Sequence, residues 1–333
     1  MNSVFHQLES RHWKHLDRPD VFYFTNAGEA GIFDFVDGQI VVHHDQVAKL
    51  KQYQLVVANL STEMWSGIVE LVYDILEQGQ INFILLSHDP KDHLTKPRML
   101  FHPNWYHASI KMLSDQGIGS DVRQYQIGCL NAKARPHRIY NYIKLRNKSY
   151  FKDCCMSFSN REIVRNNDVT LDAQTLVQWE MIKGSLSAHV FEATYTGPTI
   201  NIPAFTDAYI NLIAETHVIS EFFVTEKTWK AIAAGQLFLI IGSPGTVAYL
   251  RDQGVDTFDD LIDHKYYDNE PDWRLRIDRV HELLDLLVTQ DLSALYRQTR
   301  ARRLANQQKF FNGEFDKNYN IVNSIIETNV SIC

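Results

Sequence analysis

The sequence predicts an α/β protein of two Rossmann-like domains facing a cleft, and three observations lead there. Short apolar runs bounded by turn residues alternate with helical stretches in both halves of the chain. A length of 333 residues is more than one core usually holds and suits two domains. Near Gly117-Ile118-Gly119-Ser120 the residues become small, which divides the chain into domains 1–120 and 121–333. Strands that alternate with helices imply parallel sheets covered on both faces, with the ligand cleft outside the carboxyl ends of the strands.

In the first half, Val21 to Asn26 reads as a strand ending in the turn-prone Asn26-Ala27-Gly28. Gln39 to His44 and Gln54 to Leu60 read as further strands, Met64 to Glu77 as a helix, and Ile81 to Asp89 as a short buried strand closed by Asp89-Pro90. Trp105 to Leu113 is expected to be helical. The second half opens with a strand over Tyr125 to Asn131 and a helix over Pro136 to Arg146, where Pro136 suits a first turn because its missing N–H would be unpaired anyway. A strand over Asp153 to Ser159 and a helix over Thr170 to Trp179 follow. Residues 184–203 are rich in Ser, Thr, Gly and Pro and read as loop or short edge strands, and Asp256 to Trp273 reads as irregular. Three amphipathic helices, Arg274–Thr289, Leu292–Phe310 and Phe315–Thr328, close the chain.

Composition excludes several classes. Hydrophobic residues make up 45% and charged residues 22%, ordinary for a folded soluble domain. No apolar run reaches membrane-spanning length, and the polar first twenty residues lack a signal-peptide core. The four cysteines, Cys129, Cys154, Cys155 and Cys333, form no CxxC pair, so a reducing, cytoplasmic setting is expected. A net charge of −7 argues against coating nucleic acid as the main task. One segment, Lys133 to Lys152, is basic, aromatic and free of acids; it reads equally as a local anion-binding surface or as a solvated helix.

Tyr209 to Leu250 is the most informative stretch: strand, polar loop, helix opened by Thr225-Glu226-Lys227, apolar strand and another helix. A helix start following a strand offers unpaired N–H groups and a dipole that favours an anion. Lys227 in that first turn opposes the dipole and is therefore slightly unfavourable unless an anionic ligand is present, whereas Glu226 there is favoured by the dipole alone.

Phe223-Val224-Thr225-Glu226-Lys227-Thr228-Trp229, followed by Ala233-Ala234-Gly235 and an apolar strand ending Ile241-Gly242-Ser243-Pro244, resembles the donor-binding core of α1,3-fucosyltransferases. Cys129-Leu130-Asn131 leading to Arg138 and Leu145 is similar to that family's Asn-containing strand and phosphate-contacting Arg. The resemblance covers about a third of the chain, all of it in the C-terminal half. It implies the two-domain sugar-transferase fold called GT-B, with Arg138 and Lys227 at the donor's pyrophosphate and Glu226 on the sugar or ribose side. Arg135, Asn131, Thr225 and Gly242 complete the expected donor-binding set. The chain departs from the family at Leu237-Phe238-Leu239, where the family usually has Pro-Val, and the N-terminal half shows no alignable motif.

Sugar transfer from such a donor needs fixed positive charge at the leaving diphosphate and a base for the acceptor hydroxyl. Arg138 and Lys227 are expected to supply the charge in place of a metal ion. The base is sought in the N-terminal half, at Glu29 after the first strand or at His88-Asp89 after the strand over Ile81–Ser87. No P-loop, dinucleotide fingerprint or metal-ligand spacing occurs; His43-His44 and His102/His107 do not match a helical zinc pair. The expectation is an inverting, metal-independent glycosyltransferase without a cofactor. Its donor is a nucleotide-diphosphate sugar, GDP-linked and carrying fucose by the resemblance, and its acceptor is a glycan or another hydroxyl compound. The alternatives are a glycosyltransferase acting on hydroxylated bases in DNA and an idle nucleotide- or glycan-binding module.

Overall fold

The computed structural model describes residues 21–24, 31–36, 39–60, 66–87, 96, 98–101, 109–110, 113, 121–164, 169–184, 199–219 and 222–316. The chain divides into two compact units, one of residues 1–108 and 316–333 and the other of residues 109–315. Both described units are α/β with a parallel sheet.

The first unit runs β1 (Val21–Phe24), β2 (Phe33–Val36), β3 (Gln39–Val42), α1 (His44–Lys49), β4 (Leu55–Asn59), α2 (Ser66–Gln78), β5 (Phe83–Ser87) and β6 (Met99–Phe101). Its main sheet has the order β1-β4-β5-β6, all parallel. β5 is apolar and buried along its whole length, as expected of an inner parallel strand covered on both faces. The apolar stripe of α2, with Val69, Val72, Tyr73 and Leu76, packs with Val56, Ala58, Phe83 and Leu85 in one core. Tyr73 meets the Phe83 ring edge-on at 5.2 Å. The expected strand Gln39–His44 ends at Val42 and belongs to a two-stranded antiparallel hairpin with β2, because His44 already opens a helix.

The second unit runs β7 (Tyr125–Ala134), α3 (Pro136–Arg146), β8 (Cys154–Ile163), α4 (Ala173–Lys183), α5 (Pro203–Thr206), β9 (Ala208–Ala214), α6 (Glu226–Ala233), β10 (Leu237–Ile241) and α7 (Thr246–Asp252). It closes with α8 (Lys265–Asp268), α9 (Trp273–Val288), α10 (Leu292–Gln298) and α11 (Arg300–Phe311). The sheet order is β10-β9-β7-β8, again all parallel. Thr225, Asp172, Asp272 and Asp291 cap α6, α4, α9 and α10 with side-chain acceptors. Gly128 on β7 is required by close approach: a Cβ there would lie 2.3 Å from the Ala204 carbonyl oxygen of α5.

Three expectations change here. The segment Leu292–Phe310 is two helices broken at Thr299, whose hydroxyl donates back to the Leu295 and Tyr296 carbonyls. Asp256–Trp273 contains the short helix α8. β8 continues past Ser159 to Ile163. Of the expected helix Trp105–Leu113 only Ser109, Ile110 and Leu113 are described, and all three are helical. Of Phe315–Thr328 only Phe315 and Asp316 are described, and neither is helical; the rest of both segments and most of 184–203 lie outside the described residues. No helix among the described residues is long and apolar enough to cross a membrane.

Candidate functional site

In the second sheet the chain moves from β7 to β8 on one side, then places β9 and β10 on the other. The reversal falls between β7 and β9, and an open parallel sheet offers its ligand crevice outside the carboxyl ends of the strands at such a point. α3 leaves β7 there, and α6 follows β9. Asn131, Arg135 and Arg138 come from the first connection; Thr225, Glu226 and Lys227 come from the second.

Arg138 is 2% exposed. Its Nη2 donates to the carbonyls of Ala214 at 3.0 Å and Glu215 at 3.1 Å, at the end of β9. Its Nε is buried without a hydrogen-bond partner. Burial and the neighbouring Arg135 push the guanidinium down to about 10, against the opposite pull of Glu215 and Glu226. The group therefore stays charged at neutral pH. It is a cation held inward on backbone carbonyls, not an exposed arm of α3. Arg135 occupies the N-cap position with extended backbone, so it shares no helix face with Arg138; its Nη1 reaches the Thr216 carbonyl at 3.4 Å.

Asn131 is fully buried, with its amide nitrogen 3.4 Å from the Cys129 sulfur and its Oδ1 without a partner. His137, also fully buried, lies with Nε2 2.9 Å from the Glu215 carbonyl oxygen. A carbonyl only accepts, so the proton sits on Nε2 and Nδ1 is the bare nitrogen. Burial first, then the charge of Arg138, hold this imidazole well below its ordinary range, and it is neutral.

On the other side of the switch point, the Glu215 carboxylate is fully buried. It accepts from the Thr225 N–H at 3.0 Å, the Thr225 hydroxyl at 2.5 Å and the Thr228 hydroxyl at 2.6 Å. Thr225 Oγ1 in turn accepts from Lys227 N at 3.3 Å and Lys227 Nζ at 3.1 Å. Lys227 Nζ also lies 3.3 Å from Glu226 Oε1, with the two side chains 16% and 24% exposed. Burial raises the Glu226 carboxyl, but Lys227 and Lys230 outweigh it and hold the group below its usual value. Glu226 is thus a carboxylate beside the Lys227 side chain at a partly open helix start.

The β10–α7 turn differs. The N–H groups of Val247 and Ala248 both donate to the Asp268 carboxylate at 2.9 Å, so the chain's own acid already occupies that helix start. Gly242 is needed there for packing: a Cβ would fall 2.9 Å from Thr246 Oγ1. The basic segment Lys133–Lys152 is partly neutralised as well. Lys144 pairs with Asp278 and Lys148 with Asp285 of α9, and Tyr140 and Tyr150 donate to the same two acids.

Glu29, His88 and Asp89 lie outside the described residues. The strands that lead into them, β1 ending at Phe24 and β5 ending at Ser87, run parallel within one sheet. His43 lies 2.9 Å from Asp34 within the hairpin. Among the described residues no group of three His, Cys, Asp or Glu is placed to hold a metal ion. Sequence reasoning missed Glu215 and His137; an acid directly at the end of an apolar strand, Ala214-Glu215-Thr216, was the available signal.

No protein-family model matches the chain, and no curated protein matches it either. Among solved structures, the chain is similar to the DNA-modifying enzyme beta-glucosyltransferase, solved in the presence and absence of its substrate uridine diphosphoglucose. The identity is 15% over 88% of this chain and 98% of that one, with a TM-score of 0.32. A likeness of that degree carries no weight for activity.

Proposed function

We propose that the protein is a glycosyltransferase of GT-B type that binds a nucleotide-diphosphate sugar at the β7/β9 switch point and transfers the sugar, with inversion, to a hydroxyl acceptor. The observation that carries this reading is the pair of cations at that switch point, buried Arg138 on the carbonyls that end β9 and partly open Lys227 at the capped start of α6. In the transfer, the acceptor oxygen bonds to the anomeric carbon while the bond from that carbon to the diphosphate oxygen breaks. The acceptor proton passes to a base, and negative charge collects on the leaving diphosphate. Fixed cations at that oxygen stabilise the charge without reorganising. Glu226 is assigned to the sugar or ribose side. Glu29 and His88-Asp89, after β1 and β5, are the candidates for the base.

Fucose from a GDP-linked donor is the specificity that the Thr-Glu-Lys resemblance implies. A thermal-shift panel of GDP, UDP and their sugar conjugates tests the donor: a ligand at a hundred times its Kd stabilises the folded state by about 2.7 kcal/mol. Absence of a shift with every nucleoside diphosphate would remove the donor site and the proposal with it.

A second reading keeps the donor and takes a hydroxylated base in DNA as acceptor. Binding to DNA that falls steeply with salt, together with sugar transfer to it, would favour this reading; salt-insensitive use of a free glycan would favour the first. An idle binding module would take up nucleotide without transfer or donor hydrolysis.

A further inference from the structure

Glu215 touches both connections that carry the cations of the proposed donor site, β7 to α3 through Arg138 and β9 to α6 through Thr225. Through its carbonyl it accepts from Arg138 Nη2 at 3.1 Å and from His137 Nε2 at 2.9 Å, which fixes the start of α3. Through its own N–H it donates to the Ile241 carbonyl at 2.9 Å, which fixes it to the end of β10. Through its carboxylate it holds Thr225 and Thr228 in the first turn of α6.

The direction of the hydrogen bonds matters most. Glu215 Oε2 accepts from the Thr225 hydroxyl at 2.5 Å, so the single hydroxyl proton of Thr225 is committed to Glu215. The remaining lone pairs of Thr225 Oγ1 therefore face the Lys227 amide and the Lys227 ammonium, at 3.3 and 3.1 Å. Lys227 is in this way oriented at second hand by a carboxylate it does not contact. The Arg138 guanidinium lies close enough to that acid to feel its charge.

We propose that Glu215 is a positioning residue: its buried carboxylate sets the polarity of the Thr225 hydroxyl and thereby aims Lys227 at the donor's diphosphate. The inference rests on the donor site proposed above. Glu215→Gln tests it, because the amide nitrogen offers protons where the carboxylate offered lone pairs. The Thr225 N–H can only donate and keeps the amide oxygen at Oε1, so the amide nitrogen falls at Oε2; Thr225 must then turn its hydroxyl to accept there, and the lone pairs facing Lys227 are withdrawn.

The experiment compares binding of a nucleoside diphosphate with binding of the same nucleoside lacking phosphate, by calorimetry on the full chain. The nucleoside contacts are common to both, so a general loss of structure weakens both ligands. Misaiming Lys227 erodes only the diphosphate's advantage. The expected result for Glu215→Gln is at least a tenfold loss of diphosphate affinity with nucleoside affinity unchanged. Thr228→Val removes one donor to the same carboxylate and serves if Glu215→Gln does not fold; a loss in the same ratio, of about threefold, is expected. Equal losses for both ligands, or no loss in a folded variant that keeps the Lys227-dependent affinity of the parent, would overturn the positioning role. Failure of the parent chain to bind any nucleoside diphosphate would instead overturn the donor site itself.

Discussion

Replacing Lys227 by Ala separates a ligand-binding cation from a structural one, because the two roles give effects of opposite sign. In the absence of ligand, Lys227 sits in the first turn of α6, where a positive charge opposes the helix dipole at a cost of about 0.3–1 kcal/mol. Against this stand its contacts with Thr225 Oγ1 at 3.1 Å and Glu226 Oε1 at 3.3 Å. Both side chains keep some solvent exposure, so the ion pair contributes about 0–1 kcal/mol after screening. The sum predicts a stability change within about 1 kcal/mol of zero on removal of the ammonium. A charge-assisted hydrogen bond to phosphate contributes about 1.5–3 kcal/mol, so affinity for a nucleoside diphosphate should fall roughly 10- to 150-fold. The assay is urea denaturation of the free protein beside calorimetric titration with the diphosphate. Unchanged affinity, or a stability loss above about 2 kcal/mol that explains the weaker binding, would refute the assignment.

Arg138→Met removes a buried guanidinium that serves the Ala214 and Glu215 carbonyls at the end of β9 and should destabilise the second unit by about 1–3 kcal/mol, the cost of leaving those acceptors unpaired, read as a lowered urea midpoint; a midpoint equal to that of the parent would contradict the inward placement. Gly128→Ala should cost about 1–3 kcal/mol or more in thermal denaturation, because the new methyl meets backbone of α5 rather than a flexible side chain. Acid should weaken the fold before its carboxylates titrate. Burial holds His264 at about 4 and His281 at about 3, while the unfolded chain titrates near 6.5. The unfolded state therefore binds the extra protons, and stability is complete above pH 6.5 and declines as pH falls towards those lower values. Each ring contributes roughly 2 kcal/mol of loss by pH 5, measurable as a falling urea midpoint between pH 7.5 and 5 that His281→Gln makes shallower.

Much of the second unit was legible because its local signals agree with one another. Pro136 at a first turn, Thr225 before Glu226, and the apolar run Leu237–Ile241 each point to the element that forms. The misreadings have local causes too. Phe33–Val36 and Gln39–Val42 are four-residue strands joined through Asp37-Gly38, a hairpin signal that the alternating β/α pattern obscured. Thr299 breaks a helix without Pro or Gly, through a hydroxyl that competes for backbone carbonyls, and periodicity does not register such a break. The site was legible only as a set of residue types. That Arg138 turns inward, that Arg135 sits before the first turn of α3 with its side chain on the Thr216 carbonyl, and that Glu215 joins them are consequences of strand order, which places β9 beside β7 although 73 residues separate the end of one from the start of the other.

This strand order also explains why the cations of the second unit divide as they do. α9 brings Asp278 and Asp285 against α3, so Lys144 and Lys148 are consumed in packing and Tyr140 and Tyr150 are fixed by the same acids. At the switch point the pattern is different: Arg138 rests on neutral carbonyls, and its guanidinium charge has no carboxylate within hydrogen-bond reach among the described residues. A buried positive charge is costly; the Glu215 and Glu226 carboxylates offset part of that cost without touching the guanidinium, and a bound anion relieves more. Lys227 adds a second cation in a turn where the dipole disfavours it. Two cations that hydrogen-bonded carboxylates do not fully neutralise, set on one sheet edge and tied together by Glu215, argue that this edge is built around a negative ligand.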